Sequence, residues 1–229
     1  MLRRINFAFV LFLALACASS VGIPKNRHGL EVVPDLATYE RLAQADPDKR
    51  LVDLSTIPGV VVDMPYATNR NFMKRVLYPV EKAYLRAPAA EALRAVAKDL
   101  ESQGMRLKVW DAYRPYSVTE AMWEQIGDPD YVADPSKGSR HNRGAAVDVT
   151  LMDLKGYEMQ MPTNYDNFTP RAHHDSKEVS RQAGLARKAL RETMERHGFE
   201  PLPTEWWHYD FRGWERFELM NVPLEDLAR

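Results

Sequence analysis

The sequence predicts an α+β fold: a single domain with a central, mostly antiparallel sheet flanked by helices, its functional groups in a cleft. Three observations predict it. Short β-branched segments are separated from one another by helical stretches, two long stretches carry a helical apolar period, and Pro58-Gly59 splits a β-rich run into a hairpin-like unit. The 229 residues are 45% hydrophobic and 28% charged, enough for one compact domain with a real core. A formal net charge of −1 gives no reason to expect a nucleic-acid partner.

Residues 1–18 read as a signal peptide. Arg3 and Arg4 precede the apolar run FAFVLFLALA, and the small residues CASS follow. The run is shorter than the roughly 20 apolar residues a spanning helix needs, so no membrane span is expected in the mature chain. Export to the periplasm is expected, with cleavage after Ala16 or Ala18; lipid attachment at Cys17 is the alternative. Cys17 is the only cysteine, so the mature fold holds no internal disulfide and relies on core packing or a metal. Residues 19–50, with Pro24, Pro34 and Pro47, read as an N-terminal leader carrying one short helix around 36–45.

The functional domain is expected over 51–229. LVDLSTIPGVVVDMPYA (51–67) reads as strand, turn and strand. Pro88 opens a helix running to about Gln103, with Leu93, Val96, Ala97 and Leu100 on one face and Gly104 as its stop. MRLKVWDAYRP (105–115) is a buried strand ending at Arg114-Pro115, and Ser117 with Glu120 forms a capping box for a short helix to Ile126. AAVDVTL (145–151) is the clearest strand, with Val147, Val149 and Leu151 on one face and Asp148 and Thr150 on the other. Residues 176–197 form a long amphipathic helix ended by Gly198, and EWWHYDF (205–211) is strand-like.

The chemistry concentrates in a few places. SRHNRGAAVD (139–148) sets His141 and Asp148 seven positions apart, with Gly144 free to turn the loop back over the strand. Alone, that pair is weak evidence and is more readily a coincidence of loop and strand than a metal site. A catalytic zinc needs three protein ligands and an open position for water. His208 in TEWWHYD is the best third candidate, and Glu205 stands where a group could take and return a proton. Three positions apart on a regular strand face opposite ways, so Glu205 must lie on a turn at the strand start, after Pro201 and Pro203. Arg114, at a strand end, is either a solvated loop charge or a cleft group that holds a developing oxyanion. The adjacent His173 and His174 diverge and read as a surface or packing pair. HExxH, CxxC and G-x-S-x-G motifs do not occur.

Taken together, WDAYRP, SRHNRGAAVD and EWWHY resemble the D-alanyl-D-alanine dipeptidases of the VanX type, within the wider group of zinc D,D-peptidases. PYATNRNF (65–72), TNYD (163–166) followed by RAHH, and GFE (198–200) extend the likeness over most of 52–211. The resemblance implies one Zn2+ per chain held by His141, Asp148 and His208, with Glu205 as catalytic base and Arg114 stabilising the oxyanion. It also implies substrate contacts from Ser139, Tyr66 and Tyr78, and from Asp166, which receives the substrate's ammonium. Arg70 departs from the pattern, standing where an acidic residue is common beside Asn71. The implied activity is hydrolysis of the D-alanyl-D-alanine dipeptide by metal-activated water. A D,D-carboxypeptidase or endopeptidase acting on peptidoglycan stems is the first rival, and a non-catalytic cell-wall-binding domain the second.

Overall fold

The structure is a computed structural model that describes residues 22–229. The signal peptide and Cys17 lie outside the described residues. In chain order the elements are β1 (Val32–Val33), α1 (Leu36–Ala45), β2 (Leu51–Asp53), β3 (Val60–Val62), β4 (Tyr84–Arg86), α2 (Ala87–Ser102) and β5 (Met105–Asp111). There follow α3 (Tyr116–Ile126), β6 (Ala146–Asp153), α4 (Arg181–Arg196), β7 (Phe199–Pro201), β8 (His208–Phe211), β9 (Leu219–Met220) and α5 (Leu224–Leu227).

The main sheet runs β3-β5-β6-β8-β7; only the β3–β5 pair is parallel, so the expected mostly antiparallel α+β sheet is what forms. The helices α2 and α4 pack on each other and on this sheet. They contribute Leu93, Val96, Ala97 and Leu100 from α2, and Leu190 and Met194 from α4, all fully or almost fully buried. These are the apolar stripes that the helical period picks out. Val147, Val149 and Leu151 bury on β6 as expected, but Asp148 and Thr150 are buried too. The second face of the sheet is therefore covered, and a carboxylate there sits in protein rather than in solvent.

Three expectations are corrected. The 51–67 segment is not a hairpin: β2 pairs with β4 in a separate two-stranded sheet, while β3 joins the main sheet beside β5. The Asp53 carboxylate accepts from the Ser55 backbone N–H at 2.9 Å and starts a tight turn at Leu54–Thr56, so the strands diverge before Pro58-Gly59 is reached. The Ser117–Glu120 capping box does not form; α3 starts two residues earlier, behind Pro115, and the Ser117 N–H donates to Asn221 Oδ1 at 2.8 Å. The long helix begins at Arg181 instead of 176, because the Ser180 hydroxyl caps Ala183 N at 3.1 Å.

Residues 22–50, expected as an extended leader with one short helix, pack against the domain. Val33, Tyr39 and Leu42 join the main core, and β1 pairs in parallel with β9. The helix expected around 36–45 is α1, capped by the Asp35 carboxylate. Among the described residues no helix is long and apolar enough to cross a membrane.

Candidate metal centre and substrate cleft

Strand register brings the first two groups together. Asp148 on β6 is the direct cross-strand partner of His208 on β8. Paired residues of an antiparallel ladder project to the same face, with β-carbons about 5 Å apart. His208 Nδ1 accordingly lies 3.0 Å from Asp148 Oδ1.

His141 reaches the same point from a turn. Residues His141–Arg143 form a single 3-10 turn that Gly144 ends in the left-handed region at φ 66°. The turn is bolted to the end of β5: Arg114 N–H donates to His141 O at 3.1 Å, and Asn142 Nδ2 donates to Arg114 O at 2.9 Å. His141 Nδ1 lies 2.7 Å from the Ala112 carbonyl, which can only accept, so Nδ1 carries the proton and Nε2 presents its lone pair. That lone pair points at His208 Nδ1, 3.1 Å away, and at Asp148 Oδ1, 3.4 Å away. One donor atom from each of the three buried residues lies within 4.8 Å of the other two. Two imidazole nitrogens and a carboxylate oxygen converging without an apolar barrier form a donor set suited to zinc.

Asp148 stays anionic. Burial pushes its carboxyl up, but the two histidines, His141 foremost, hold it well below the usual range. The Tyr165 hydroxyl donates to its Oδ2 at 2.7 Å. Glu205 lies on the turn before β8, as its spacing from His208 requires, and its N–H donates to Leu202 O at 3.1 Å. Its Oε2 is 4.0 Å from His208 Nδ1. Burial raises the Glu205 carboxyl to about 7 against the opposing pull of His208.

Arg114 is buried and its fork is held on one side: Nε and Nη2 donate to Asp111 Oδ2 at 2.9 and 2.7 Å. A register shift between Val109 and Asp111 sets Asp111 opposite Asp148, so the strand irregularity itself brings the Arg114 anchor onto the site face. Its guanidinium carbon stands 5.4 Å from the centroid of the Tyr66 ring. Asp166 lines the same cleft. The Tyr66 hydroxyl lies 3.0 and 3.1 Å from its two carboxylate oxygens. Burial, reinforced by nearby Asp148, raises the Asp166 carboxyl well above its ordinary value.

These groups enclose a cavity of about 140 Å³, lined by the three convergent residues and Glu205, and also by Arg114, Ser139, Tyr66 and Asp166. A wider cleft of about 570 Å³, against Trp110, Thr150 and residues 158–165, includes none of the site residues expected from sequence. Eight of the nine expected side chains thus meet in one place. Tyr78 does not: it is buried behind the cleft, and its hydroxyl donates to Asp111 Oδ1 at 2.9 Å. It braces the carboxylate that holds Arg114 and does not line this cavity. His173 and His174 stay outside the cavity; the His174 ring meets Tyr209 edge-on at 5.9 Å.

Sequence reasoning missed Asp111, Tyr165 and Asp210. Each had a local signal. Asp111 precedes Arg114 by three residues, Tyr165 adjoins Asp166, and Asp210 follows His208 by two on a strand, hence on the same face.

A family model described as D-ala-D-ala dipeptidase matches residues 48–220. The D-alanyl-D-alanine dipeptidase of Escherichia coli (strain K12) is 33% identical over 161 residues, which cover 70% of this chain and 83% of that protein. The enzyme of the same name from Enterococcus faecium is 32% identical over 177 residues, 68% of this chain and 88% of that one. Among solved structures, the LdcB LD-carboxypeptidase overlaps 85% of each chain with a TM-score of 0.43 at 20% identity.

Proposed function

The chain belongs to the D-ala-D-ala dipeptidase family of peptidases, and from that premise we propose that it hydrolyses the D-alanyl-D-alanine dipeptide to D-alanine with one zinc ion held by His141, Asp148 and His208. One observation carries the reading: three metal-ligating atoms within 4.8 Å of one another share a small buried cavity with a carboxyl raised to about 7.

Zinc bound to this set would supply a Lewis acid for the scissile carbonyl and lower the pKa of a water to about 7. Glu205 takes the proton of the attacking water and returns it to the departing amine. Arg114, fixed by Asp111, offers its free guanidinium edge to the carbonyl oxygen as negative charge develops there. Ser139 lines the cavity beside His141 and offers a hydroxyl to the substrate.

Asp166 suits the free amino end of the substrate. No cation pairs with it among the described residues, so it is a costly carboxylate until an ammonium arrives, and binding supplies that charge. A free dipeptide carries that ammonium, whereas a stem peptide has an acylated nitrogen in its place, so an acid at this position favours the dipeptide.

The test is direct. Zinc-loaded protein is given D-Ala-D-Ala, L-Ala-L-Ala and a pentapeptide stem. Release of D-alanine from the first alone is expected; cleavage of the stem without the dipeptide would establish the carboxypeptidase instead. Export to the periplasm, with work on cell-wall fragments, belongs to the same proposal and rests on the N-terminal sequence. Mass measurement of the mature N-terminus separates cleavage after Ala16 or Ala18 from lipid attachment at Cys17.

A further inference from the structure

His208 faces the other two convergent residues through Nδ1 and turns its remaining nitrogen away from them. Nε2 lies 3.0 Å from Oδ1 of Asp210, two residues further along β8. Positions two apart on a strand share a face, which is why the imidazole and the carboxylate meet. The cross-strand partner of Asp210 is Ala146, whose methyl group leaves that face open for the acid to fold over the ring. Asp210 is itself held. Its Oδ2 lies 3.6 Å from Nε of Arg140, and the Arg140 guanidinium carbon stands 4.7 Å from the centroid of the Trp214 ring.

We propose that Asp210, steadied by Arg140 on Trp214, is a positioning residue that fixes His208 as the Nε2–H tautomer with Nδ1 free for the metal. An ionised carboxylate is acceptor-only, so the proton between it and Nε2 resides on the ring. The two histidines are then prepared in opposite senses: His141 holds its proton on Nδ1 and ligates through Nε2, and His208 does the reverse. They also differ in strength. His141 leans on a neutral carbonyl, whereas His208 leans on an anion, which makes its free nitrogen the more basic donor. Arg140 adds a positive charge beside the other oxygen of that carboxylate. The inference rests on His208 being a zinc ligand, and it assigns Asp210 no contact with substrate.

Zinc affinity of the full mature chain, measured by chelator competition without substrate, tests it. Asp210→Asn is expected to weaken zinc binding about 10- to 100-fold while leaving the melting temperature of the metal-free protein in place. A variant within threefold of wild type overturns the proposal. A second measurement needs no variant: long-range proton–nitrogen NMR of the zinc-loaded wild type should show a protonated Nε2 on His208. A proton on Nδ1 overturns it equally. Wild-type zinc binding judges the metal reading, and the ratio of variant to wild type judges Asp210. A chain that binds zinc yet ignores D-Ala-D-Ala leaves this test intact.

Discussion

The Tyr165 hydroxyl lies 2.7 Å from Oδ2 of Asp148, while Oδ1 of the same carboxylate faces His208 Nδ1 at 3.0 Å. One oxygen is thereby occupied by a neutral donor and the other is left to the convergent histidines. Tyr165→Phe removes the donor and keeps the ring against Trp110, 4.8 Å between centroids. Zinc affinity is expected to drop about tenfold as Asp148 loses its fixed orientation. Chelator competition reads this, and an unchanged dissociation constant would remove Tyr165 from the support of the site.

Glu205→Gln keeps the shape of the turn and removes the base. Turnover of D-Ala-D-Ala is expected to fall by about 10²–10⁴, with zinc content unaffected. Metal analysis beside steady-state kinetics decides it; a variant retaining most of its kcat would show that another group moves the proton.

Asp166 adopts φ 54°, a left-handed conformation that Asn tolerates and Ala does not favour. Asp166→Asn is therefore the clean substitution. KM for the free dipeptide should rise about 10-fold or more with a smaller change in kcat, since binding and not bond-breaking is affected. N-acetyl-D-Ala-D-Ala has no ammonium, so its kinetics should barely respond. An equal loss for both substrates would place Asp166 elsewhere in the reaction.

Asp111 is fully buried and, among the described residues, makes the only salt bridge to Arg114. Asp111→Ala strands a buried guanidinium and is expected to destabilise the fold by about 3–5 kcal/mol. Tyr78→Phe removes one hydrogen bond to the same carboxylate and should cost about 1.5–3 kcal/mol. Urea unfolding of the two variants checks the order, and a Tyr78 effect larger than that of Asp111 contradicts it.

His174 gives the fold an acid dependence. Burial foremost, with Arg191 and Arg187 nearby, lowers its pKa from 6.5 to about 4. The folded chain keeps this ring neutral, while the unfolded chain protonates it near its ordinary value. Between those limits the unfolded state binds more protons, so stability is intact above pH 6.5 and declines as pH falls toward 4. The full loss is about 3 kcal/mol. His174→Phe should flatten that part of the curve; a variant with the same pH dependence as wild type would rule out this residue.

Much of the site was legible because its chemistry is carried by residue type at short range. His141 and Asp148 share one short segment, and Glu205 and His208 another, so spacing alone placed Glu205 on a turn and Asp148 on a strand. What joins the two segments is the Asp148–His208 register, which no local pattern encodes. Tyr78 shows the opposite failure. A tyrosine in a suggestive position reads the same from sequence whether it lines a cleft or stands behind it, and only packing around Asp111 separates the two. The 51–67 segment misled for a related reason: Pro58-Gly59 is a turn signal of hairpin type, but Asp53 had already turned the chain.

The pairing of Val32–Val33 with Leu219–Met220 has a bearing on how the molecule comes into being. The partners are separated by almost the whole of the described chain, and pairings between such distant segments form slowly. Until this ladder closes, the segment before Leu51 is tied to the domain by side-chain packing such as that of Val33, Tyr39 and Leu42, so its docking is the step most exposed to any change at Leu219 or Met220.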